Sequence, residues 1–161
     1  MRVRTALPLA AVLILVPALA RATPEANLAT HLTGDEEVPA RDTQAQGQAT
    51  FNVAKDGHTV EFKLVVANIE NVVASHVHCG DPGVNGPIVV GLYSAPSAGG
   101  PIEGPIAEGS FDGTAFTCNG MSLLDAMRAG HTYVNVHTND GDATPNEGPG
   151  DFPGGEIRGQ V

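Results

Sequence analysis

Residues Val72 to Asp81 run Val-Val-Ala-Ser-His-Val-His-Cys-Gly-Asp, and two histidines flanking one valine constrain the backbone more than any other stretch. In an extended strand, side chains alternate between faces. His76 and His78 then share one face, and Val73, Ser75, Val77 and Cys79 share the other. A second stretch, His131 to Thr138, answers it. There Val134 and Val136 share one face, and Tyr133, Asn135 and His137 share the opposite one. In both stretches valine faces one side and histidine the other. Two antiparallel neighbours with this pattern bring three imidazoles together on the surface of a β-sandwich. His76, His78 and His137 are read as a metal site and the rest of the chain as its scaffold.

The chain has 20 glycines and 12 prolines, dispersed between short apolar runs, which is the punctuation of an all-β protein with many turns. A first strand is expected over Asn27 to Thr33, followed by a loop through Gly34 to Pro39. Gly47 to Ala54 alternates with Ala49, Phe51 and Val53 inward, and His58 to Ala67 with Val60, Phe62, Leu64 and Val66 inward. Asp56-Gly57 between them signals a tight turn. Asp81 to Pro87 is turn-rich, and Ile88 to Tyr93 reads as a strand. Ser94 to Gly104 reads as a flexible Gly/Pro/Ser stretch. Pro105 to Thr117 gives one or two more strands, broken near Asp112-Gly113. One short helix is expected over Ser122 to Ala129, with Ser122 as its N-cap and Gly130 as its stop. Gly154 to Val161 forms the last strand.

Arg2 and Arg4 precede an apolar run, Ala6 to Ala20, that is short for a membrane span. Ala18-Leu19-Ala20 or Ala20-Arg21-Ala22 offers a small-x-small cleavage site. Residues 1–22 are therefore read as a cleaved secretory signal peptide, in preference to an N-terminal anchor, and 23–161 as a single domain. No cysteine follows the cleavage sites, which argues against a lipoprotein anchor. The expected location is exported, periplasmic or extracellular. The formal net charge is −10, from 8 basic and 18 acidic residues. Cleavage after Ala20 removes Arg2 and Arg4 and leaves 6 basic against 18 acidic, or −12. That balance excludes nucleic acid and acidic membrane surfaces as partners and favours cations. Two cysteines, Cys79 and Cys118, read first as one disulfide in an exported chain. The competing reading makes Cys79 a copper thiolate beside His78. Strand alternation points Cys79 away from His78 and favours the disulfide.

These stretches also match a family. Leu32-Thr33-Gly34, Glu37-Val38-Pro39, Gly47 to Phe51, His76-Val77-His78, Asn85-Gly86-Pro87, Gly130 to Thr138 and Pro153 to Gln160 resemble, in that order, a CHRD domain, the module named after chordin. The resemblance covers nearly all of the mature chain. It implies an exported module but defines no activity. A weaker resemblance is to copper/zinc superoxide dismutases, which are Greek-key β-sandwiches. It rests on Leu32 to Asp35, Gly47 to Phe51, His76-Val77-His78 with Gly80-Asp81, Gly130-His131-Thr132, Val136-His137 and Arg158. It implies copper ligands at His76, His78 and His137, and Arg158 as a catalytic anion contact if the protein is dismutase-like. The departures are plain. Cys79 to Thr117 contains no histidine, so that family's zinc subsite and bridging histidine are lacking, and Cys118 places the disulfide differently.

Three neutral imidazoles suit Cu(II), Cu(I) or Zn(II) and leave positions open for water or an anion. One copper ion leads, on the dismutase analogy, with zinc next. His31 alternates onto a face from which it is a candidate fourth ligand. His131 lies roughly 20 Å along the strand from His137 and is expected at the surface, as is His58 at a hairpin turn. Asp140, Asp142, Glu147 and Asp151 lack the spacing of an EF-hand and are read as a solvated acidic loop. Three functions compete. The favoured one is a metal-binding module that holds, buffers or delivers copper. The second is a copper-only dismutase, against which the acidic charge argues, since it repels superoxide. The third is a metal-free interaction module, against which the scarcity of aromatics argues.

Overall fold

The computed structural model describes residues 27–95, 99–142 and 148–161. The expected signal peptide and Glu147 lie outside these residues. Among the described residues, ten strands and one α-helix follow in order: β1 (Leu28–Thr33), β2 (Gln46–Val53), β3 (Thr59–Glu70), β4 (Val72–Cys79), β5 (Ile88–Ser94), β6 (Pro101–Asp112), β7 (Thr117–Cys118), β8 (Met121–Ser122), α1 (Leu123–Arg128), β9 (Thr132–Thr138) and β10 (Ile157–Gln160). Eight strands form one antiparallel sheet in the order β5-β4-β9-β10-β1-β2-β3-β6. The edge strands β5 and β6 come into contact, so the sheet curls until it nearly closes. The connections from β3 to β4 and from β6 to β9 cross over several strands, giving the Greek-key arrangement expected of this all-β chain. Among the described residues no helix is long and apolar enough to cross a membrane.

Alternation sets the core. Leu32, Ala49, Phe51, Val60, Leu64, Val66, Val77, Val134, Val136 and Ile157 face inward and are buried. The helix closes one end with Leu123, Leu124 and Met127. Ser122 caps it, its Oγ accepting from the Asp125 N–H at 3.2 Å, and Gly130 follows with φ +78°.

Three local expectations are corrected. Val72, not Val73, is buried at the start of β4, because an irregularity between Val72 and Ala74 shifts the alternation by one residue there. Pro101 to Gly104 belongs to β6 rather than to a flexible stretch. The register of β6 slips opposite Leu64/Val65 and Val66/Ile69, and Pro105 sits at the first slip, where a missing N–H is tolerated. The last strand is shorter than expected, since Gly155, at φ +123°, precedes it in a turn.

Candidate metal centre

β4 and β9 are hydrogen-bonded neighbours, with His76 opposite Asn135, Ala74 opposite His137 and His78 opposite Tyr133. His137 therefore stands diagonal to His76 on the outer face. Between β4 and β5 the register slips at Ser75/His76 and again at Val77/His78. Such irregularities bend a strand and re-aim its side chains. The ring centroids lie 4.9 Å apart for His76 and His137, 5.7 Å for His76 and His78, and 6.3 Å for His78 and His137. One nitrogen from each ring falls within 4.8 Å of the other two.

Backbone carbonyls decide which nitrogens point at the centre. The Gly86 carbonyl lies 2.9 Å from His78 Nδ1, and the Pro153 carbonyl 2.9 Å from His137 Nδ1. A carbonyl only accepts, so each Nδ1 carries the proton and each Nε2 presents a lone pair. His137 Nε2 lies 3.1 Å from His76 Nδ1. The inward donor set is thus His76 Nδ1, His78 Nε2 and His137 Nε2. Gly86 packs closely against the backbone of Cys79, an approach that only glycine allows, since a Cβ there would run into the Cys79 carbonyl. Burial, with the His137 and His78 rings alongside, depresses the His76 pKa to about 4. Burial also lowers His78 and His137, although their carbonyl partners oppose it. All three imidazoles are therefore held neutral, the form that binds a metal.

The donors fit a soft-to-borderline divalent or monovalent ion. His78 is 7 % exposed, and its Nε2 is buried with no hydrogen-bond partner. A buried lone pair left unmatched is costly unless something binds it. Metal–nitrogen bonds of about 2.0–2.1 Å place donors roughly 3–4 Å apart, a spacing the group reaches with small side-chain rotations.

The other anticipated residues lie elsewhere. His31 is exposed on β1, opposite Gln48, three strands from β4 in the sheet order and outside the histidine group. Strand separation alone therefore removes it as a fourth ligand. Arg158 was expected to contact an anion, but it is 1 % exposed and engaged within the protein. Its Nη1 donates to Asn85 Oδ1 at 3.1 Å, and its Nη2 to the carbonyls of Val84 and Asp81 at 3.0 and 3.3 Å. Its guanidinium lies over the Tyr133 ring, 3.5 Å from the centroid, and His78 also stacks on that ring, at 4.7 Å. Arg158 thus ties the loop after β4, which carries the Gly86 carbonyl, to the sheet. Cys79 and Cys118 form the disulfide, which leaves Cys79 no thiolate to offer a metal. His131 pairs with Asp81 away from the group, and His58 lies between Asp56 and Asp112 at the surface.

A CHRD domain model matches residues 28–145. The chain belongs to the CHRD domain family. The match spans β1 to β9 and contains all three histidines, while β10 and Arg158 lie beyond it. No curated protein and no solved structure matches this CHRD protein.

Three further polar residues, Glu156, Asn135 and Glu37, are buried. Glu156 is fully enclosed, its carboxylate accepting from Thr43 and Thr138 hydroxyls at 2.6 Å each and from the Gly150 N–H at 2.9 Å. Asn135 was signalled by the alternation that put it on the face of His137. Glu37 stands in the Glu37-Val38-Pro39 stretch of the family resemblance, but its burial follows from no local pattern.

Proposed function

We propose that this CHRD domain is an exported metal-binding module that holds one copper ion, or failing that zinc, on His76, His78 and His137. The observation that carries the reading is the buried, unpartnered Nε2 of His78, with its proton fixed on the other ring nitrogen. His137 is set in the same way by Pro153, and His76 completes a three-nitrogen set. Bound copper would supply a redox-active Lewis acid with a position open for a further ligand. What the chain itself does is hold three imidazoles neutral, aimed and partly shielded from water. Holding or delivering the ion is favoured over turnover, because Arg158, the cation best placed to guide an anion, is spent on loop carbonyls. The disulfide is compatible with an extracellular location, and the proposed export rests on that and on the amino-terminal sequence.

Titration of the purified protein with Cu(II), followed by electron paramagnetic resonance, tests the reading. One equivalent with nitrogen hyperfine structure is expected. His137→Ala is expected to abolish tight binding while leaving the thermal stability of the metal-free form nearly unchanged. A copper stoichiometry unaffected by that substitution overturns the site. Failure of Cu(II), Cu(I) and Zn(II) to saturate the native protein leaves a metal-free interaction module in its place.

A further inference from the structure

Tyr133 stands between a histidine-bearing strand and the last strand of the sheet. On β9 it pairs with His78 on β4 and with Gln160 on β10. It is 2 % exposed. The His78 ring stacks on it, with centroids 4.7 Å apart and planes inclined by only 13°. The Arg158 guanidinium lies over the same ring, 3.5 Å from its centroid. At those two distances the imidazole and the guanidinium cannot share one face, because their atoms would overlap. They therefore cover opposite faces, and the phenol ring is clamped between them. Gly80 closes part of its edge: a Cβ there would come within 3.0 Å of Tyr133 Cε1, so the glycine lets the chain pack against the ring.

The hydroxyl makes a second connection to the same histidine. Tyr133 Oη accepts from the Gly86 N–H at 3.2 Å and lies 3.5 Å from the Gly86 carbonyl oxygen. That carbonyl is the acceptor for His78 Nδ1–H at 2.9 Å. One side chain thus touches the His78 ring with its face and, with its oxygen, touches the residue that fixes the His78 proton. Stacking restrains the plane of an imidazole, and the partner of one ring nitrogen decides which nitrogen keeps the lone pair.

We propose that Tyr133 is a positioning residue of the three-histidine centre: its ring sets the plane of His78, and its hydroxyl steadies Gly86, whose carbonyl keeps the proton on Nδ1 and the lone pair on Nε2. The proposal rests on the metal-binding reading above. Partners behind a metal ligand fix its tautomer and ring orientation, and losing one typically weakens metal binding about tenfold to a hundredfold. Tyr133 acts through two separable contacts, so its loss divides into two steps. Tyr133→Phe keeps the stack and removes the hydroxyl, and Tyr133→Leu removes both.

The test uses the full protein with Cu(II) alone as probe. Tyr133→Leu is expected to weaken Cu(II) binding roughly tenfold to a hundredfold and to alter the nitrogen hyperfine pattern. Tyr133→Phe is expected to fall between native and Tyr133→Leu in affinity. In the metal-free protein, nitrogen resonances of the His78 ring are expected to show Nδ1 protonated and Nε2 bare. In Tyr133→Phe the two are expected to move toward each other, as the second tautomer becomes populated, while those of the distant His31 and His58 stay in place. A merely structural loss would not exchange the proton between the two nitrogens of one ring. Native affinity and hyperfine pattern in Tyr133→Leu, or unmoved His78 resonances in Tyr133→Phe, overturn the proposal and leave the metal site standing. If Tyr133→Leu does not fold, Tyr133→Phe and its His78 resonances decide alone. Absence of Cu(II) binding by the native protein overturns the copper reading and this proposal together, and that outcome is distinct from the others.

Discussion

A proton on His76 is unwelcome for two physical reasons: its ring is partly removed from water, and two other imidazoles stand beside it. Its pKa falls to about 4 against 6.5 in an unfolded chain. The unfolded state therefore binds more protons between those values, and folding stability rises with pH across that window. The contribution is complete above about 6.5 and is lost as pH falls toward 4. Thermal unfolding of the metal-free protein should accordingly show a midpoint that drops on acidification through this range. His76→Gln should flatten the drop. An equal pH slope in the two proteins would mean that folding does not lower the His76 pKa. Glu37 works in the opposite sense, since burial raises its carboxyl, so the difference between native and variant curves is the informative quantity.

At the scale of elements, the Cys79–Cys118 bond joins the end of β4 to β7, beside the helix. It closes a loop across a sequence separation of 39 residues. On the chain-entropy account, closing such a loop contributes about 3–4 kcal/mol. Reduction, or Cys118→Ser with Cys79→Ser, should lower the unfolding midpoint by on the order of 10 °C, read by calorimetry. A midpoint unchanged by reduction would show that β7, β8 and α1 hold to the sheet unaided. Much of this element structure is legible in residue order. The alternation of Ala49, Phe51 and Val53, the Ser122 cap and the histidine-bearing faces of β4 and β9 follow from side-chain period and turn chemistry. What escapes is whatever depends on pairing. Val72 replaces Val73 in the core because a register slip, invisible in one strand alone, resets the phase. Pro101 to Gly104 looks like loop material and becomes strand because β3 offers it a partner. Arg158 looks like a surface cation and is buried because loop carbonyls fold over it. Glu37 is buried on a loop whose path no local pattern encodes.

For the molecule as a whole, the formal net charge of −10 surrounds a site made of neutral donors. Cations approaching it are drawn by the field of the entire surface rather than by the ligands. The association rate of Cu(II) should fall severalfold as ionic strength rises from about 0.01 to 0.15 M, where the Debye length contracts from roughly 30 to 8 Å. The nitrogen hyperfine pattern should stay the same. A rate indifferent to salt, measured by stopped flow, would assign capture to local chemistry alone. The strand order carries one more consequence. β10 lies between β9 and β1, so the last of these strands in the chain joins the half of the sheet that carries the histidines to the half that begins with β1. During synthesis β4 and β9 emerge with no β10 to brace them, and neither Arg158 nor Glu156 is yet present to hold the covering loops. The face on which the imidazoles converge is thus braced on both sides only once β10 has joined the two halves of the sheet.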